Sequence, residues 1–401
     1  MKKKQRRTTA FAALSILLCA AMLTGCATYQ NFKSTFIETE ADNTAVARIG
    51  VYEPLSGKDK DHGKLELQGI ELAHELFPEV LGKKVELVYA DNQSDVDVAA
   101  TAARQLVEKK VSVVLGSYGN TLSLVGGDFF AEAKIPAIAI TATNPLVTSS
   151  NEYYFRTCFV ESFQGVALAK YTAEQMGVTS AAIFKDADDD YAAAVSQTFG
   201  DKLVQLTQNE DAVVKVVEYH SNQKDFKQQL MEVKASGAGV VLLASRTSDA
   251  LEIMQQAKEA GIQLIFLGTD SWESEDFLKS GGSAVEGAIL SAYFDAEAGI
   301  TANTEVFLKA YREKYGQDKE PPSEVALGFD AYLLAINAIG TAGTSVNGEA
   351  IKEQLALTKN YPGASGNISF DENGDPIKSV VIKTITNGAF VHLYTVEPTW
   401  Q

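Results

Sequence analysis

The sequence is poor in the groups on which most enzymes depend. It has three cysteines and only four histidines, His62, His74, His220 and His392. His62 and His74 stand twelve residues apart, not one helical turn, so they do not form a metal-spaced pair. There is no nucleophile elbow and no glycine loop that would cradle a phosphate. An enzyme is therefore not expected, nor is a cofactor or a bound metal. Basic residues are scarce as well: 35 Lys and Arg against 52 Asp and Glu give a net charge of −17. Such a surface repels phosphate backbones and offers no footprint for nucleic acid. Thiol chemistry is limited too. Cys19 and Cys26 lie close to the start, so the rest of the chain holds Cys158 alone, and no intramolecular disulfide is expected there. With no histidine near it in sequence, Cys158 reads as a small packing residue.

The start of the chain carries an address. Lys2, Lys3, Lys4, Arg6 and Arg7 form a basic stretch, followed by a mainly apolar run over residues 10–22. This is the pattern of a signal peptide, and the run is shorter than the ~20 residues that a bilayer crossing needs. It ends in Leu23-Thr24-Gly25-Cys26, which resembles the bacterial lipobox and implies a lipid-modified Cys26 at the mature N-terminus. Loss of those five basic residues takes the charge from −17 to −22. Residues 26–45 are polar and aperiodic, suited to a flexible tether. The expected location is extracytoplasmic, anchored to the cell membrane.

From residue 46 onward there is length for two domains. Short apolar runs alternate with helical periodicity. Strands are expected at 49–51, 85–90, 111–115 and 135–140, and helices carry Gly69, Leu72, Ala73 and Leu76, then Ala99, Ala102, Ala103 and Leu106, on one face. This βαβα rhythm builds a parallel sheet. It restarts after residue 164, with strands at 181–184, 213–219, 240–243 and 264–267. The helix over 250–260 stops at Gly261 with Lys258 in its last turn. Helices over 305–315, 324–339 and 349–357 come without interleaved strands and must cover an existing sheet. Two last strands, 380–385 and 390–394, are joined by Asn387-Gly388, a hairpin signal.

Four motifs in order, Pro54-Leu55-Ser56-Gly57, Leu115-Gly116-Ser117, Ala142-Thr143-Asn144-Pro145 and Gly268-Thr269-Asp270, resemble those of the leucine/isoleucine/valine-binding proteins of ABC importers. The resemblance runs from Arg48 to Thr395. It implies an α/β type I periplasmic-binding fold of two lobes, each a doubly wound parallel sheet, joined by three crossings near residues 159–164, 287–294 and 361–368. The implied division is 46–161 and 291–365 for lobe 1, 162–290 and 366–401 for lobe 2. The ligand then lies in the cleft outside the strand ends. The partners implied are an amino acid, branched-chain or polar or acidic, and two membrane permease subunits, with the binding protein itself a monomer.

The same resemblance assigns roles. Asn120 and Thr121, after the Gly116 loop, and Thr141 and Thr143, after the next strand, correspond to the groups that hold a ligand carboxylate, although turn and helix-cap chemistry suits the same residue types. Asp270 corresponds to the acid that takes the ammonium; the plainer account is a cap on the following helix. Tyr191, after the acidic run 186–190, corresponds to a tyrosine closing from lobe 2, or is a core residue. That run lacks the alternation and the distal glutamate of a calcium loop. Two positions depart from the pattern: His62 replaces an aromatic residue, and Arg246 replaces a tyrosine. Arg246 is placed either to grip an anionic ligand group or to pair with Asp249 or Asp270. Trp272 either lines the cleft mouth or packs. A sensor of the same fold, or a binder of a small organic anion, is the alternative. Sensors of this kind usually carry a membrane helix after the domain, and this chain reaches Gln401 without one.

Overall fold

The computed structural model describes residues 42–398. The expected export signal over 1–25, Cys26 and most of the expected tether over 26–45 lie outside the described residues.

The first sheet is built from β1 (Val46–Glu53), β2 (Glu79–Val80), β3 (Lys83–Asp91), β4 (Val113–Leu115), β5 (Ala137–Ala139) and β6 (Tyr154–Arg156). Its order is β2-β3-β1-β4-β5-β6. All neighbours run parallel except β2, which pairs antiparallel with β3. Alternate residues serve opposite faces, as a strand requires. Ile49, Val51, Val113, Leu115 and Ile138 point into one apolar cluster. Tyr52, Val114, Ala137 and Ala139 point into another. Both faces are therefore covered, the arrangement that parallel sheets demand.

On one face lie α1 (Lys60–Leu76) and, from much later in the chain, a helix over Ser323–Ala342; on the other lie α2 (Val96–Glu108) and α3 (Asn120–Glu132). After a short α4 (Leu146–Ser149) the chain leaves this sheet and enters α5 (Glu161–Lys170).

The second sheet contains β7 (Ala181–Asp186), β8 (Val213–Tyr219), β9 (Val240–Ala244), β10 (Phe266–Gly268) and β11 (Ile289–Ala292), alternating with α6 (Asp190–Thr207), α7 (Lys227–Ser236), α8 (Thr247–Glu259) and α9 (Glu275–Gly281). These five strands are parallel. The chain then returns to the first lobe as α10 (Ala302–Tyr315), α11 (Ser323–Ala342) and α12 (Gly348–Ala356). A small antiparallel sheet follows, β12 (Tyr361–Gly363), β13 (Gly366–Phe370) and β14 (Pro376–Ile377). Finally β15 (Val380–Thr386) inserts antiparallel beside β11, and β16 (Ala389–Val396) pairs with it, giving the order β16-β15-β11-β10-β9-β7-β8. The hairpin turns through Asn387 at φ 54° and Gly388 at φ 71°, the left-handed pair that its sequence called for.

Helix α11 is apolar enough by length and composition to cross a membrane, but it is the core helix of its lobe, packed on α1. Glycines set how closely the two approach. A Cβ on Gly69 would sit 2.0 Å from Val325 O, and one on Gly328 would sit 2.2 Å from Glu66 O. This contact carries the N-terminal end of α11 against the outer end of α1, and with it Glu324 against His62.

Candidate functional site

The parallel strands of both sheets end at a shared cavity of about 210 Å³. The first lobe contributes His62, Tyr118, Asn120, Thr141 and Thr143; the second contributes Tyr191, Asp270 and Glu273. Tyr293, just past β11, and Ser323 and Glu324, opening α11, complete it. A second cavity of about 370 Å³ lies elsewhere, near Phe294, Ser365 and Lys378, and none of the residues expected to bind ligand lines it.

Glycine shapes the first-lobe side. Gly116 ends β4 at φ 109°, and a Cβ there would lie 2.2 Å from Tyr52 O and 2.3 Å from Glu53 Oε1. Only glycine allows the loop to fold back this tightly and deliver Tyr118 and the start of α3 to the cavity. Asn120 is the first residue of α3, and its Oδ1 accepts the Asn144 N–H at 3.0 Å, tying two strand-end loops together. The amide NH2 then has no protein partner among the described residues. Behind it stand the unpaired N–H groups of a helix N-terminus, a favourable setting for an anion.

The second-lobe side is acidic. Asp270 follows β10 and is fixed from three directions: Tyr191 donates to Oδ1 at 3.0 Å, Tyr293 donates to Oδ2 at 2.9 Å, and its own N–H donates to Gln164 Oε1 at 3.3 Å. Gln164 also donates to the Tyr191 hydroxyl at 3.0 Å and accepts from Ser291 at 2.8 Å. Burial pushes the Asp270 carboxyl above its ordinary range, against the pull of these hydrogen bonds. Tyr191 is placed by Asp189, which caps α6 by accepting the Tyr191 N–H. Asp270 itself is not a cap: Ser274 takes that role for α9, accepting from Phe277 N.

The cavity is bridged from a third direction. Glu273 takes the ammonium of Lys383 at 2.6 Å and the hydroxyl of Ser323, so a second-lobe acid is bonded to a first-lobe helix. His62 stacks on Tyr118, with ring centres 4.6 Å apart and planes 4° apart, and meets Glu324 at 3.3 Å. The hydrogen bond to Glu324 raises the His62 pKa.

The eight expected ligand residues thus separate into two groups. His62, Asn120, Thr141, Thr143, Tyr191 and Asp270 converge on one cavity. Arg246 does not: it precedes α8 with its side chain exposed, and its nearest acid is Asp186 at 4.0 Å, not Asp249 or Asp270. Thr121 is also exposed and away from the cavity, because the first turn of α3 points Asn120 inward and its neighbour out. Trp272 is fully buried against Phe277, stacked at 5.3 Å, and forms no part of the cleft mouth. Gln164, Tyr293, Glu273 and Glu324 were not singled out from sequence; each lies in a crossing or at a helix start, where no periodicity marks it.

Over residues 46–389 the sequence matches the family described as periplasmic binding protein. The chain belongs to that family. A Leu/Ile/Val-binding protein homolog of Brucella abortus is 26% identical over 332 residues, 82% of this chain and 87% of that one. The structure of a leucine-binding protein from Thermotoga maritima superposes with a TM-score of 0.79 at 34% identity, covering 88% of this chain and 99% of the other. A branched-chain amino acid transporter substrate-binding protein from Streptococcus pneumoniae, solved with isoleucine, gives 0.76 at 27% identity, covering 88% and 100%. The two-lobed α/β architecture of this periplasmic binding protein is the one those structures share.

Proposed function

We propose that this periplasmic binding protein captures a free amino acid between its lobes and presents it to the permease of an ABC importer, held at the membrane by a lipid on Cys26. The observation that carries this reading is the polarity of the cavity. One end offers donors, the Asn120 amide and the opening turn of α3; the other offers the anchored carboxylate of Asp270. A zwitterion presents the matching charges, and exclusion of water by the lobes strengthens both contacts.

Among the described residues no Lys or Arg lines the cavity, and Arg246 lies outside it. A ligand with a second negative charge would meet no Lys or Arg, and His62 is already engaged by Glu324, so the reading narrows to amino acids with neutral side chains. The names of the relatives support the same class. Capture follows hinge closure: the ligand docks on Asn120 and Thr143 of the first lobe, and Tyr191 and Asp270 close from the second.

The test is a thermal-shift screen against the common amino acids and against ammonium-free anions such as acetate and lactate. Binding to the native state must raise the melting temperature. A neutral amino acid is expected to raise it, and Asp270→Asn to abolish the rise. A shift produced by an anion without an ammonium, and by no amino acid, rejects the reading.

A further inference from the structure

Behind the cavity wall lies a pair of acids with no place in the account so far. Glu53, the last residue of β1, and Glu66, in the middle of α1, are both fully buried. Burial, with the charge of Glu66 beside it, raises the Glu53 carboxyl well above the usual carboxylate range, so one of the two acids holds a proton. Glu53 Oε2 accepts the Tyr118 N–H at 2.9 Å, and Glu66 Oε1 accepts the hydroxyl hydrogen of Thr141. The remaining oxygens, Glu53 Oε1 and Glu66 Oε2, are buried and meet no hydrogen-bond donor among the described residues. Among the described residues no Lys or Arg pairs with either acid. Two bare carboxylates so placed would repel each other in a medium that solvates neither, so the pair holds one proton and one negative charge.

The consequence falls on Thr141. A hydroxyl has one hydrogen, and this one is spent on Glu66. What Thr141 turns toward the cavity is therefore lone pairs, so it accepts and does not donate. The resemblance assigned it to the ligand carboxylate; its hydrogen bonding suits a donor instead. We infer that Glu66, sharing a proton with Glu53, is a positioning residue of the ammonium subsite: it fixes Thr141 as an acceptor and places one buried negative charge behind it. This rests on the amino-acid reading of the cavity and says which groups beyond Asp270 take the ammonium.

The charge is titratable. Burial pushes Glu66 up to about 7 and raises Glu53 well above the usual carboxylate range. The other groups facing the pair are His62 on the same helix, Glu324 on α11, Tyr118 on the β4–α3 loop, and Tyr52 and Tyr154 on the first sheet. The tyrosines stay neutral, since burial raises all three far above the physiological range. An ammonium bound beside Glu66 favours its ionised form, so binding expels protons and strengthens as pH rises.

The experiment measures affinity for whichever common L-amino acid gives the largest thermal shift, in wild type, Glu66→Gln and His62→Gln, from about pH 5.5 to about pH 8. The wild type is expected to bind on the order of tenfold more tightly at the upper pH, one unit of pKa being a factor of ten. Glu66→Gln should flatten the profile near the acid wild-type value, and His62→Gln should keep most of the slope. A wild-type profile that is flat, or a Glu66→Gln protein that retains both wild-type affinity and slope, overturns the inference while leaving the amino-acid reading intact. Absence of any amino-acid shift at every pH removes that reading and this inference with it. If Glu66→Gln does not fold, calorimetry of wild type and His62→Gln in two buffers of different ionisation enthalpy decides: proton release in both supports the inference, and its absence from both overturns it.

Discussion

The hydroxyl of Tyr293 donates to Asp270 Oδ2 at 2.9 Å. Tyr293 stands on the segment that leaves β11 for the other lobe, and its ring packs on Phe159 of the first crossing at 4.3 Å. The acid proposed for ligand capture is thus held by the hinge itself. Tyr293→Phe keeps the ring contact and deletes the donor. Hydrogen bonds to charged groups contribute about 1.5–3 kcal/mol, so amino-acid affinity should fall roughly tenfold or more with little change in the unliganded melting temperature. Calorimetric titration reads both quantities, and an unchanged affinity would leave Tyr191 as the sole hydroxyl that matters.

Arg246→Ala should leave affinity within about twofold of wild type, since an exposed side chain 4.0 Å from Asp186 contributes at most a weak surface pair. A loss of more than about tenfold in the same titration would return Arg246 to the cleft, with an anionic ligand group as its partner.

Ser323→Ala removes the hydroxyl through which α11 reaches Glu273 across the lobes. Glu273 keeps Lys383, so the acid is not stranded. The expected effect is a loosened pair of lobes: a larger radius of gyration without ligand by small-angle scattering, and affinity weaker by about fivefold, the equivalent of one ordinary hydrogen bond. Scattering curves that superpose for both proteins would show that the contact does not restrain the lobes.

Glu53→Gln should stabilise the unliganded protein, and more so at alkaline pH. The folded-state carboxyl is raised by burial, so the native protein holds a proton that the unfolded chain releases. Stability from this group is complete below the ordinary carboxylate range and is lost as pH rises toward the folded value. Replacement by a neutral amide should raise the melting temperature by about 1–2 °C or more near pH 8, where each kcal/mol is equivalent to about 1.3 °C in a chain of this size, and by less near pH 5. A larger gain on the acid side contradicts the shared-proton arrangement.

The parallel strands were legible because each is an apolar run with helices between: the expected 213–219 is Val213–Tyr219 as observed. The parallel strands that escaped notice are β6 and β11, only three and four residues long, and Arg156 interrupts the apolar character of the first. Arg156 is nevertheless buried there, because Asp375 from the β13–β14 turn reaches its Nε at 2.6 Å. No local pattern announces a partner more than two hundred positions away. Asp270 was reached through the family resemblance, at its place after a glycine-ended strand, and it lines the cavity. Glu66 had a visible mark that went unused: three residues before Gly69, it lies on the face of α1 that the periodicity assigned to the interior.

The placement of β15 bears on the order in which the molecule can be made. Chain emerging N-terminus first can finish the first sheet with residues up to Arg156, whereas β11, buried throughout, waits for a neighbour supplied almost a hundred residues later. Until Val380–Thr386 arrives, the second lobe has an open apolar edge of the kind that recruits foreign strands. During export this half of the molecule is the one that needs protection from its neighbours, and a chain cut short after Gly363 would keep that edge permanently.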